Sequence, residues 1–175
     1  MDGTREHVDI VIADYDPAWA LRFERERSRV GEALAGKALA IEHVGSTSVP
    51  GLAAKPIIDI CLVVADSADE DAYVPDLARA GYELRVREPD WHEHRMLRPA
   101  SRDVHLHVFT AGSTEIDRML LFRDRLRANG EDRARYEAAK RSLAARDWPT
   151  MQDYADAKSP VVGEIMARAV GPATA

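Results

Sequence analysis

In the stretch HVDIVIADY (residues 7–15), Val8, Ile10 and Ile12 occupy alternate positions, which predicts a half-buried strand. Asp16-Pro17 then predicts a helix start, with Asp16 as N-cap and Pro17 at the first helical position, where its missing N–H costs nothing. Trp19, Phe23, Val30 and Leu34 follow at spacings of four, seven and four, which lines them along one helix face. Two β-prone runs come next, ALAIEHV and PIIDICLVV, and the second is nearly continuously apolar, as in a strand buried on both faces. Residues 67–80 read as a helix stopped at Gly81. YELRVRE, HRMLRP and DVHLHVFT read as three further strands.

Beyond AGST the period changes to that of helices alone. Thr114 and Asp117 are spaced as a capping box, and Ile116, Leu120, Phe122 and Leu126 supply most of an apolar face. Residues 131–146 predict a second helix. A third begins at Thr150 with Asp153 as its box partner, and Ser159-Pro160 is expected to interrupt it and reset the cap. Strands first and helices last indicate an α+β fold, a mixed sheet with helices on one face and a C-terminal helical segment. No internal repeat or low-complexity segment interrupts the chain.

At 175 residues the chain suits one domain, residues 1–175, and its 46% apolar and 31% charged residues are the balance of a folded globular protein. A formal charge of −6 argues against general nucleic-acid binding, which needs an excess of Lys and Arg, and favours a small-molecule partner. The single cysteine, Cys61, excludes an intramolecular disulfide. No apolar run approaches the roughly 18 residues of a membrane span, and the N-terminus lacks a signal peptide's apolar region, so the expected location is the cytoplasm. The oligomeric state stays open.

The stretch HVGSTSVPGLAAKPIID (residues 43–59) carries the candidate chemistry. Gly45 lets the backbone turn sharply beside a ligand, and Ser46, Thr47 and Ser48 offer hydroxyl and N–H groups to an anion, the composition of a phosphate site. A Walker A loop is excluded by spacing, because five residues separate Gly45 from Gly51 and Lys55 is followed by Pro56. In the next strand Asp59 and Cys61 share a face, and a carboxylate in so apolar a run must be paired, hydrogen-bonded or bound to a cation. His105 and His107 share a face of a later strand. They become candidate ligands or proton carriers if that strand lies beside Asp59.

HVGSTSVPGLAAKPIIDI, together with HLHVF and RDRLR downstream, resembles the GrpB-like proteins, which also occur fused to dephospho-CoA kinase; the likeness runs from about Asp14 to Ala169. That family is similar to the polymerase-β-like nucleotidyltransferases. The resemblance implies a nucleotidyltransferase-like mixed sheet, a Gly-Ser turn for nucleotide phosphates at Gly45 and Ser46, and a first metal-binding carboxylate at Asp59, with Mg²⁺ as the expected ion. Cys61 stands where the second carboxylate belongs, and His105 and His107 stand where a third acid is expected. Both departures weaken a two-Mg²⁺ mechanism. Arg123 and Lys158 match recurring family positions as well.

The sequence thus favours transfer of a nucleotidyl or related phosphate-containing group from a nucleotide to a small acceptor. Gly45, Ser46, Thr47, Ser48, Lys55, Arg95, Arg123 and Lys158 are candidates for binding phosphate or nucleotide. Asp59 would hold Mg²⁺, and His105 or His107 would move a proton. Two alternatives stand beside it: a catalytically silent nucleotide- or anion-binding module, and a histidine-based metal-dependent hydrolase. Each candidate has a plainer reading too: turn hydroxyls that satisfy their own backbone, histidines on a half-exposed sheet face, and a cysteine that is a small buried hydrophobe.

Overall fold

The computed structural model describes residues 8–171. Five strands form one mixed sheet in the order β1-β2-β5-β4-β3, with β1 Ala40–Val44, β2 Ile58–Val64, β3 Tyr82–Glu88, β4 His94–Pro99 and β5 Val104–Thr110. Only β2 and β5 pair in parallel; β1, β3 and β4 join antiparallel to their neighbours. Six α-helices accompany them: α1 Ala18–Leu34, α2 Val74–Arg79, α3 Thr114–Ala128, α4 Gly130–Ala144, α5 Met151–Ala157 and α6 Ser159–Val170.

Helices cover both faces of the sheet, not the single face expected. On one side Trp19, Phe23, Val30 and Leu34 of α1, with Leu77 of α2, pack on Ile58, Ile60, Leu62 and Val64 of β2 and on Val104, Leu106 and Val108 of β5. On the other, Ile116, Met119 and Leu120 of α3 pack on Cys61, Val63 and Phe109. The near-continuous apolar run of β2 has this cause, since every second residue faces a different helical layer. A third apolar cluster joins Val49 and Leu52, from the turn after β1, to Leu126, Tyr136 and Ile165. It fastens the C-terminal helices over the end of the sheet where that turn lies.

Several local expectations are refined. Residues 8–12 are not a strand: Val8, Ile10 and Ile12 are half-buried on alternate positions, but only Ala13 finds a partner, Ala54, so no ladder forms. His7 lies outside the described residues. α1 begins one residue later than expected, at Ala18 with Pro17 in the cap position, and Asp16 Oδ1 accepts from the Ala18 N–H at 2.9 Å. The span 67–80 holds a single 3-10 turn, Glu70–Ala72, and the short α2, because Ser67 is drawn into the sheet by bonds to Thr110 and Glu93. Thr114 and Asp117 form no capping box, since the helix starts one residue earlier and Ser113 is its cap. Thr150 caps α5 as expected, its Oγ1 accepting from the Asp153 N–H, and the Asp153 carboxylate accepts from the Thr150 hydroxyl. The break at Ser159-Pro160 separates α5 from α6, with Lys158 at the boundary.

Candidate active site

β1 ends at Val44, and Gly45 turns the chain with φ +71° into the short 3-10 turn Ser46–Ser48. A methyl group at Gly45 would stand 2.6 Å from Asp59 Oδ2, so this glycine is required both by its dihedral and by the carboxylate pressed against it. The antiparallel register Val44↔Asp59 and the parallel register Asp59↔His105 place the turn, the carboxylate and the first imidazole side by side.

Asp59 Oδ1 lies 3.2 Å from His107 Nε2 and 3.6 Å from His105 Nδ1. Burial acts against its charge, yet the hydrogen bond with His107 and the positive potential of His107, His105 and Lys55 outweigh it and hold the carboxyl below its ordinary range. Burial pushes the His105 pKa down, against the pull of Asp59, with His107 and Lys55 adding to the decrease. Asp59, His105 and His107 are a set of side chains able to hold a divalent metal ion.

A cavity of about 130 Å³ opens in front of this group, lined by Ser46, Thr47, Lys55, Asp59, His105, Lys140, Tyr154 and Lys158 among others. The same lining is rich in cations. Lys55 and Lys158 stand 5.9 and 4.7 Å from the centre of the Tyr154 ring, and Lys140 stands 4.9 Å from that of Tyr136. Burial lowers the pKa of all three, that of Lys140 to about 7, and the positive charge of Lys158 adds to the decrease at Lys140. Lys140 Nζ donates to the Ala53 carbonyl at 2.5 Å. Tyr154 Oη is buried and has no hydrogen-bond partner among the described residues.

The sequence candidates separate into two groups. Ser46, Thr47, Lys55, Asp59, His105 and Lys158 line this cavity, Gly45 abuts Asp59, and His107 touches Asp59 from the side. The Thr47 hydroxyl is committed to the fold, donating to the Ile57 carbonyl and meeting His43 Nε2, and the Ser48 hydroxyl donates to the Gly45 carbonyl. Arg95 faces away, bonded to Glu70 at 2.7 Å and to backbone carbonyls. Arg123 pairs with Glu42 and Asp124 beside a separate groove. Cys61 is sealed beneath α3, its thiol pushed up to about 12 chiefly by burial, so it stands with the hydrophobes.

Lys140 and Tyr154 escaped the sequence reading. Tyr136 and Lys140 are one helical turn apart on α4 and both buried, but a lysine on a charged helix reads as solvated. Beyond His107 lies a second, larger groove of about 770 Å³, whose walls include Trp91, His94, Phe109 and Met119.

A family model described as GrpB protein matches residues 9–168. The chain is 59% identical over 163 residues to a UPF0157 protein of Halalkalibacterium halodurans, covering 93% of this chain and 84% of that one. The crystal structure of the conserved protein GrpB from Enterococcus faecalis superimposes with a TM-score of 0.72 at 31% identity, over 90% of this chain and all of that one. A chain of the GLD-2/RNP-8 complex shares the fold alone, at TM-score 0.50 and 13% identity, over 88% of this chain and 60% of that one. The α+β, nucleotidyltransferase-like architecture expected from the sequence is the one adopted. Among the described residues, no helix is long and apolar enough to cross a membrane.

Proposed function

The chain belongs to the GrpB family, and from that premise and the chemistry of the cleft we propose that it transfers a nucleotidyl or related phosphate-containing group from a nucleotide to a small acceptor. The observation that carries this reading is the cationic lining: three lysines, and a Tyr154 hydroxyl with no partner among the described residues, converge on one small cavity that a carboxylate and an imidazole also line. Asp59 offsets only part of the burial cost at Lys55 and Lys158, as Glu137 does at Lys140, and a bound anion would relieve the remainder. A cavity of this size suits a phosphate group. Ser46 and the lysines would hold the phosphate. Asp59 and His105 line the same cavity, where they would meet the attacking hydroxyl or an ion that activates it. The groove beyond His107, with the half-exposed Trp91 ring on its wall, has room for the remainder of a reactant.

Mg²⁺, the ion expected from the resemblance, would meet one carboxylate and two imidazoles here, a poor match for an ion that prefers oxygen ligands in octahedral order, and no step is assigned to it. The sealed position of Cys61, which leaves Asp59 without a second carboxylate on β2, favours one competing reading, a silent nucleotide-binding module. Thermal shift with a panel of nucleoside triphosphates, alongside pyrophosphate release from the same compounds, separates the two. Transfer predicts stabilisation by a triphosphate, its loss in Lys55→Met/Lys158→Met, and pyrophosphate release when small hydroxyl-bearing acceptors are added. Stabilisation without release means a binding module, and no stabilisation by any phosphate compound removes both readings.

A further inference from the structure

Behind His107 runs a hydrogen-bonded chain that the transfer reading does not use. Glu88 Oε2 lies 2.6 Å from His94 Nδ1, His94 Nε2 lies 2.9 Å from His107 Nδ1, and His107 Nε2 lies 3.2 Å from Asp59 Oδ1. Extending the reading of this cleft as a transfer site, we propose that Asp59, His105 and His107 bind one borderline transition ion of the Zn²⁺ or Co²⁺ class in place of Mg²⁺, with His94 and Glu88 as the support that orients His107.

The first argument is geometric. Two ligand atoms bound to one such ion at about 2.1 Å stand about 3.0 Å apart at a right angle and about 3.4 Å apart at a tetrahedral angle. The Asp59 oxygen is 3.2 Å from one imidazole nitrogen and 3.6 Å from the other, and the three donor atoms all lie within 4.8 Å of one another. All three residues come from the paired central strands β2 and β5, whose register allows little play. One carboxylate and two imidazoles are the donors that Zn²⁺ and Co²⁺ favour.

The second argument is the support behind His107. With a metal ion on Nε2, His107 would donate Nδ1–H to His94 Nε2, and His94 would donate Nδ1–H to the Glu88 carboxylate, which accepts only. A ligating histidine whose other nitrogen donates to a fixed acceptor is the usual support for such an ion. Here a second imidazole lengthens that support to a carboxylate at the surface. Neither Cys61, sealed under α3, nor Glu42, paired with Arg123, supplies the further oxygen ligands that Mg²⁺ would require.

Titration of the chelator-stripped full chain with Co²⁺ alone tests the proposal, with no nucleotide present. Expected are one equivalent bound, a visible absorption band from mixed nitrogen and oxygen ligation, displacement by Zn²⁺, and no displacement by Mg²⁺ in about 1,000-fold excess. His105→Ala and His107→Ala should each lose Co²⁺ affinity by about 100-fold or more. His94→Ala should lose about 10- to 100-fold, and Glu88→Gln, at a half-exposed position outside the core, should weaken binding in the same direction by less. Competition by equimolar Mg²⁺, or wild-type Co²⁺ binding by folded His107→Ala, overturns the site. Unchanged affinity in both His94→Ala and Glu88→Gln overturns the role of the chain behind it. Because nucleotide binding is read separately by thermal shift, loss of either result leaves the other standing.

Discussion

Arg95 and Lys140 are both buried cations, on opposite sides of the sheet, and the fold treats them differently. Arg95 is 7% exposed and fully engaged: Glu70 accepts from its Nε at 2.7 Å, and the carbonyls of Glu93 and His94 accept from Nη1. Lys140 is 2% exposed and forms no ion pair among the described residues; its hydrogen-bond acceptor is the neutral Ala53 carbonyl, its cationic neighbour Lys158 opposes its charge, and Glu137, bonded to the Ala53 N–H, offsets only part of that. A buried charge with its counter-charge is scaffold. A buried charge with no carboxylate bonded to it, beside a cavity, is a group that an arriving anion would neutralise.

The sharpest test of that contrast places a new charge where neither solution exists. Cys61→Asp would restore the second carboxylate on β2, but the side chain would sit among Val44, Val63, Phe109 and the apolar face of α3, with Glu42 close enough to raise its pKa further. The expected outcome is a loss of several kcal/mol, enough to unfold a marginal domain, read as a collapse of the urea midpoint. A folded variant that gained Mg²⁺ affinity would instead mean that this end of the sheet face opens like the end that carries Asp59.

The next effect strands a charge that is now paired. Glu70→Gln leaves Arg95 buried against carbonyls alone and should cost about 3 kcal/mol, less than a fully isolated charge because those carbonyls remain. Glu70→Met combined with Arg95→Met should recover most of that loss in chemical denaturation, since the buried charge goes with its partner; what remains is the exposed Arg87, which turns to solvent, and two carbonyls that lose a donor. Failure of the double variant to recover would make Arg95 more than scaffold and return it to the candidates for substrate binding.

The same contrast explains what was legible in the sequence. The strands, the helix faces and the Gly45–Asp59 junction were readable because periodicity and a glycine before hydroxyls are local signals. The pairing of β2 with β5 was conditional in the sequence, and once it is given, alternation places His105 and His107 beside Asp59. Arg95 and Lys140 were not separable, because what distinguishes them is a partner 25 residues away in one case and the lack of one in the other. Lys140 reaches the cavity only because the cluster of Val49, Leu52, Tyr136 and Ile165 folds the helical segment back over the turn. Residues 8–12 failed as a strand for a related reason: alternation specifies a face, while a strand also needs a neighbour with a free edge.

Lys140→Met makes the smallest change in stability and is the most specific test of the contrast. In the folded chain burial and Lys158 bring the Lys140 pKa from 10.5 to about 7, so between those values the unfolded chain binds more protons than the folded one. Stability contributed by this group therefore rises with pH from about 7 to about 10.5; below 7 both states are protonated and the full cost of the buried charge is present. Removing the charge relieves a few kcal/mol as an order of magnitude, and depriving the Ala53 carbonyl of its donor returns about 1–2 kcal/mol of that. The variant should be more stable than wild type by about 1–2 kcal/mol at pH 6, with the gap closing toward pH 10 in denaturation curves taken across the range. Inorganic phosphate at pH 6 should narrow the gap as well, by stabilising wild type more than the variant. Parallel pH profiles for the two chains would mean that the charge of Lys140 is already compensated inside the fold, and the distinction between this lysine and Arg95 would vanish with it.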